Sequence, residues 1–295
     1  MQSQISNYKF LKVILTLTLS LLALNVSFSQ HQIKHYDVAC VNPGYDYGRS
    51  IINRIDNGYG IAGYSYQVPA CIGSYDMMFL KLNPDGTVNC SRLIGNSQDD
   101  KSYSLIQSMT DSGYVLAGYT TNPTAPYRKK ATMVKLNKNC NLSYARCLFD
   151  SLNSSYNQVV RDPSNVWGFT GYVETNVTVG VNRNKILASQ YAFTGALNWA
   201  SRYVSPGLSK EEAHSLCFQP LSGTYCLAAK TNFYSGSASV YDIMLVKLTY
   251  GGAVIWKKVY KFNLPSGTSY PNTEPRKVIP MPDGGFAVVG FTNVS

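Results

Sequence analysis

Neighbouring acids are the first residues in this 295-residue sequence that could do chemistry. Asp99-Asp100 and Glu211-Glu212 are paired carboxylates, the residue type that general acid–base catalysis uses. Asp46 and Glu274 stand in register with them, each at the equivalent turn before a strand. A feature that recurs at one turn after another reads as a turn or capping device, and Asp76 and Asp242 recur in the same way. His31, His35 and His214 have no metal-ligand spacing, and there is no C-x-x-C pair. No catalytic residue, metal or cofactor is therefore expected. The seven cysteines all follow residue 29. Such thiols can pair in an exported chain, and an odd count leaves at least one over. Cys217 and Cys226 flank a turn on consecutive strand candidates, so the spacing allows a Cys217–Cys226 bridge across a hairpin.

What must position any site is a repeat. NGYGIAGY (57–64), SGYVLAGY (112–119), NVWGFTGY (165–172), GTYCLAAK (223–230) and GGFAVVGF (284–291) are five copies of one strand. Their small anchors are Gly63, Gly118, Gly171, Ala229 and Gly290, separated by 55, 53, 58 and 61 positions. A steady period of about 50 residues suits a four-stranded propeller blade. Side chains alternate along a strand, so one face carries an aromatic, an apolar and the small residue. The aromatics are Tyr59, Tyr114, Trp167, Tyr225 and Phe286. The other face is small or apolar as well, and a strand apolar on both faces is covered on both, as stacked blades would provide. The recurring Gly or Ala leaves room for a backbone or ring to come close.

A second block repeats between the copies. Tyr75–Leu82 (YDMMFLKL) matches Tyr241–Leu248 (YDIMLVKL), with shorter versions at Thr132–Leu136 and Ile186–Tyr191. Each runs into a turn rich in Asn, Asp or Gly, residues that supply the positive φ of tight hairpins. A further strand follows, with Tyr144, Trp199 and Trp256 four or five residues after the turn and Cys90 in that slot in the first copy. Four strands per period result. The fold expected is all-β, a propeller of four-stranded blades with about five repeats, incomplete or open. The strand equivalent to Tyr241–Leu248 is not found after Phe291, and Ile33–Val38 stands where an outer strand would. A piece of a longer reading frame is the favoured explanation, with an open arc as the alternative.

Residues 1–29 read as a signal peptide: Lys9 and Lys12, an apolar run over Val13–Leu24, then small residues before Gln30. The alternative is an anchor, but the run is short for the roughly 20 residues of a span. Domain boundaries follow, 1–29 as signal and 30–295 as the repeat domain, with a secreted or cell-surface location and no later membrane span. Removing two lysines takes the formal charge from +10 to +8. The basic residues are dispersed, so nucleic acid has no support; a basic balance can favour acidic glycans or anionic surfaces, but a solvated, mildly basic surface is the reading preferred.

These blocks resemble secreted bacterial β-propeller repeat proteins, particularly those of Bacteroidetes. Their units read D-G-G-Y-x-x-x-G-x-T, D-x-x-L-x-K-L and G-x-x-x-W-x-K-x-Y. Asp283–Asn293, Asp242–Leu248 and Gly252–Tyr260 match these, and the resemblance covers residues 33–293. Gly195–Trp199 and Gly252–Trp256 also look like the tryptophan-docking motif of quinoprotein propellers, which implies a Gly that turns the chain and a Trp that packs between blades. Quinone enzymes of that group carry adjacent cysteines, and this chain has none. Asn83–Thr87 is partly similar to the Asp-box of sialidases, without their arginine cluster.

The expected function is a binding, surface-interaction or scaffold module for glycan or protein. The alternative is an extracellular enzyme acting on polysaccharide through carboxylates at one propeller mouth. Function is expected in the loops that do not repeat: Val68–Ser74, Asn122–Lys130, Thr175–Asn184 and Asn263–Asn272.

Overall fold

The computed structural model describes residues 36, 45–66, 75–148, 152–178, 181–203, 205, 209–233, 240–261 and 272–293. Residues 1–29, expected as a signal segment, Ile33–Val38 apart from Tyr36, and residues 68–74 and 263–271, expected as functional loops, lie outside them. Among the described residues no helix is long and apolar enough to cross a membrane.

The described chain is an open propeller of antiparallel blades. Blade 1 comprises β1 (Tyr45–Asn53), β2 (Tyr59–Tyr66), β3 (Tyr75–Leu82) and β4 (Val88–Ile94). Blade 2 is β5 (Asp100–Gln107), β6 (Tyr114–Thr121), β7 (Lys129–Leu136) and β8 (Leu142–Cys147). Blade 3 is β9 (Ser154–Arg161), β10 (Trp167–Thr178), β11 (Val181–Tyr191) and β12 (Leu197–Tyr203). Blade 4 is β13 (Glu211–Gln219), β14 (Thr224–Thr231), β15 (Asp242–Leu248) and β16 (Val254–Tyr260). Blade 5 has two described strands, β17 (Asn272–Pro280) and β18 (Phe286–Asn293). The inner strands β1, β5, β9, β13 and β17 touch in that order.

The apolar core is divided among the blade junctions, because each sheet is apolar on both faces and blades 2 to 4 have a described neighbour on each. At the junction of blades 1 and 2, Met77 and Phe79 pack against Tyr114, Leu116 and Leu136, with the Phe79 and Tyr114 rings 4.6 Å apart. Trp167 and Phe169 serve the next junction with Met133. Tyr225 and Leu227 serve the one after it with Ile186 and Ala188. Each anchoring aromatic thus rests on the third strand of the preceding blade, a burial that stabilises by about 2–3 kcal/mol. The same logic explains why Tyr59 is 37% exposed while Tyr114, Trp167 and Tyr225 are at most 1% exposed. No described blade precedes the first.

Fourth strands fasten neighbouring blades by a second contact. The Tyr144 ring covers Gly195, where an added Cβ would lie 2.6 Å from it, and its hydroxyl donates to Phe193 O at 3.0 Å. Trp199 covers Gly252 in the same way and donates from Nε1 to Tyr250 O at 3.0 Å. Both glycines have φ above +80°, so only a residue without a Cβ allows the turn and the ring together. At the first junction the pair is chemically different. Cys90 fills the aromatic slot and Cys140 the turn slot, at φ 67°, and the two form a disulfide with a Cα–Cα distance of 6.6 Å. Trp256 meets Phe286 of blade 5 edge-on, 6.3 Å between ring centroids.

The expected Cys217–Cys226 bridge is not formed. The two are direct register partners on β13 and β14, yet both are free thiols. The Cys217 sulfur accepts the Cys226 backbone N–H, and the Cys226 sulfur faces the Leu227 carbonyl at 4.0 Å. Both side chains fill the junction of blades 4 and 5 with Ala228, Ile243, Leu245 and Val278, as small apolar residues. Burial pushes the Cys217 thiol up to about 12, and Cys226 rises as well, so neither forms the thiolate that exchange requires.

Candidate binding site at the channel mouth

Every inner strand carries a β-bulge at the same place, opposite the small anchor of its neighbour. Pairing jumps from Gly48 to Ser50 opposite Gly63 and Ala62, and from Ser102 to Ser104 opposite Gly118 and Ala117. In blade 3, Tyr156 and Gln158 pair with Gly171 and Thr170. The jump is Ala213 to Ser215 in blade 4 and Pro275 to Lys277 in blade 5. One residue per blade is left over: Arg49, Tyr103, Asn157, His214 and Arg276. A bulge re-aims the extra side chain, and all five of these line one cavity of about 460 Å³ at the end of the channel where the inner strands begin.

The small anchors make the bulges possible. A Cβ on Gly118 would lie 1.8 Å from Lys101 O, and on Gly63 1.8 Å from Tyr47 O. The close neighbour that the repeat accommodates is therefore the bulged backbone of its own blade. Second strands add Tyr119 and Tyr172 to the mouth, and the start of β7 adds Lys129.

The mouth is aromatic and mostly cationic. Arg49 lies 5.6 Å from the Tyr103 ring centroid and Lys129 4.7 Å from that of Tyr119, within cation–π range. The Tyr103 and Tyr119 rings are 6.1 Å apart. Burial pushes the Tyr103 hydroxyl up to about 12 and raises Tyr119 and Tyr172 also, so all three remain protonated hydrogen-bond donors. Burial lowers His214, against the opposing pull of Glu212, and its Nε2 is buried with no hydrogen-bond partner in the described structure.

The paired acids separate into two roles. Glu212 lines the mouth, accepting from Asn157 Nδ2 at 3.1 Å and pairing with Lys230 at 3.5 Å. Glu274 pairs with Lys230 at 3.3 Å and Arg276 at 3.6 Å. Asp100 and Glu211 turn the other way, into blade junctions. Glu211 sits near Lys185, whose Nζ donates to Ser209 O at 2.7 Å and Ser209 Oγ at 2.8 Å. At the equivalent junction Asp76 replaces the lysine, so Asp76 and Asp100 converge on Gly95. A Cβ there would lie 1.9 Å from Asp76 Oδ1 and 2.8 Å from Asp100 Oδ2. Asn96 N at 2.6 Å, Thr121 N at 3.2 Å and the Thr120 hydroxyl serve Asp100, whereas Asp76 Oδ1 has no partner in the described structure.

Burial first, and then Asp100, push Asp76 up to about 6. A raised folded-state value means that the native protein holds this proton more tightly than the unfolded chain. The associated stability is full below about pH 4 and is lost as pH rises through about 6. Asp76→Asn is thus expected to raise the denaturation midpoint at neutral pH and to leave it unchanged in acid. Urea unfolding across that range checks this, and a variant less stable than the parent at neutral pH would contradict it.

Of the expected functional loops, Asn122–Lys130 contributes Lys129 to the mouth. For Thr175–Asn184 only part is described, and it supplies none of the mouth residues. The five bulge residues were missed by sequence reasoning. Their signal is a constant offset, since each precedes its small anchor by 14 or 15 positions.

No family model and no curated protein matches the chain. Among solved structures, a protein of unknown function from Dyadobacter fermentans DSM 18053 is similar with a TM-score of 0.55 and 12% identity, over 82% of this chain and 74% of that one. A thermostable family-43 glycoside hydrolase has a TM-score of 0.45 at 14% identity, over 83% of each chain. A glucose dehydrogenase has a TM-score of 0.30 at 11% identity, over 84% of this chain and 94% of that one. Likeness at such identities shows the fold alone. The chain thus shares its fold with a protein of unknown function.

Proposed function

We propose that the protein is an exported binding module for acidic saccharides, with its site at the channel mouth. The observation that carries this reading is the ring of bulge residues. One repeated backbone position points five side chains at one cavity, while their identities vary as Arg, Tyr, Asn, His and Arg. Tyrosine faces suit the apolar face of a sugar and their hydroxyls suit its oxygens. Arg49, Lys129 and Arg276 outnumber Glu212 there, and guanidinium groups bind carboxylates in bidentate fashion. Binding is favoured over hydrolysis because Glu212 and Glu274 are both engaged by Lys230.

A panel of acidic and neutral oligosaccharides against the full chain tests the proposal. Uronate-containing members are expected to bind, and Tyr103→Ala is expected to weaken them by about ten-fold or more with folding retained. Equal affinity for neutral and acidic members, or no effect of Tyr103→Ala, would refute it.

A further inference from the structure

The junction of blades 4 and 5 repeats the preceding junction with one layer removed. Between blades 3 and 4, Ile186, Ala188 and Tyr203 face Tyr225, Leu227 and Ala229, and the space is filled by Met244, Val246 and Leu248 of the third strand. Between blades 4 and 5 the equivalent residues are Ile243, Leu245 and Tyr260 facing Phe286, Val288 and Gly290. These six line an open apolar cavity of about 350 Å³. The outer edge of β18 has no partner among the described strands, and Val289 and Phe291 on it are 63% and 42% exposed.

We propose that this groove and edge are a receptor for one extended segment with the third-strand pattern of the chain's own repeat, Asp-x-Met-x-Val-Lys-Leu, paired antiparallel to β18. Register comes from β14 and β15, where Tyr225 opposes Leu248, Leu227 opposes Val246 and Ala229 opposes Met244. Phe286, Val288 and Gly290 would then oppose the Leu, Val and Met of the incoming strand, which drop into the cavity. Main-chain hydrogen bonds along the edge and alternate side chains in pockets are the usual basis of strand addition. Charge agrees as well. In blade 2 the penultimate Lys135 of β7 pairs with Asp111 of the β5–β6 turn at 2.6 Å. Asp283 occupies that turn position in blade 5 and accepts only the Gly285 N–H among the described hydrogen bonds, at 2.8 Å. The groove continues the existing contact of blade 4 with β17, so occupancy extends an interface already formed.

The test uses the full chain and a labelled peptide with the sequence of residues 241–248. Saturable one-to-one binding is expected, with slowed amide exchange over Phe286–Asn293. The same peptide carrying Met244→Ser and Val246→Ser should bind at least about ten-fold more weakly. Asp283→Ala in the protein should weaken the parent peptide a few-fold at unchanged melting temperature. Absence of binding, or equal binding of the substituted peptide, overturns the proposal. So does a concentration-dependent dimer that already protects β18, because the occupant would then be a second copy.

Discussion

Gly118→Val is expected to destabilise the protein by more than about 3 kcal/mol and to abolish binding at the channel mouth. A Cβ at Gly118 meets the backbone of the bulged strand, with Lys101 O at 1.8 Å, Lys101 C at 2.8 Å and Ser102 Cα at 2.8 Å. No side chain can rotate away to relieve the clash, so the bulge itself must move. Tyr103 is the residue which that bulge presents, and binding should fall beyond what the unfolded fraction explains. Ala229 is the internal control. Blade 4 already carries a Cβ there, opposite Ala213, so Ala229→Gly should change stability by only about 1 kcal/mol. Denaturant unfolding of both variants checks the pair, and a mild effect of Gly118→Val would remove the link between anchor and bulge.

Loss of the Cys90–Cys140 bridge should cost about 4 kcal/mol, the loop-entropy value for its 50-residue separation. Cys90→Ser, or reduction of the parent, is expected to lower the denaturation midpoint accordingly. The other junctions suggest a rescue. Tyr144 on Gly195 and Trp199 on Gly252 do without covalent bonds what Cys90 and Cys140 do with one. Cys90→Tyr with Cys140→Gly should therefore recover part of the loss, about 1–2 kcal/mol, and it relieves the positive φ of Cys140. A reducing agent that leaves the parent's midpoint unchanged would contradict the assignment. The double variant should be insensitive to the agent.

What was legible in the sequence is what repeats in identity. Tyr114, Trp167 and Tyr225 recur as aromatics because each must fill the same space on a preceding blade, and Gly63, Gly118 and Gly171 recur because a bulged carbonyl lies over them. The blades and their strand count follow from those positions. The ring of bulge residues was not legible because a bulge imposes a place and leaves the residue type free. Arg49, Tyr103, Asn157, His214 and Arg276 span four residue types in five copies, and comparing copies for likeness passes over them. The disulfide lay between these cases. Cys90 stands in an aromatic slot and Cys140 in a glycine slot of the next copy, so alignment of the repeats pairs them. Proximity in the chain points instead to Cys217 and Cys226, whose sulfurs are held by backbone groups inside a junction.

The open last blade follows the same rule. Its groove is lined by the residues that the repeat places there, and its occupant is described by the third strands already in the chain. Mouth and groove are lined by different residues and meet where the Arg276 guanidinium lies 4.9 Å from the centroid of the Phe291 ring.

The side chains aimed by the bulges are expected to act as one site. Calorimetric titration of an acidic oligosaccharide into the parent and into Arg49→Ala with Arg276→Ala tests it most directly. Both changes remove exposed side chains and leave every anchor in place. Saturable binding by the parent that weakens with added salt is expected, with a loss of about 30-fold or more in the double variant at unchanged melting temperature. Unchanged affinity in the double variant would contradict the account.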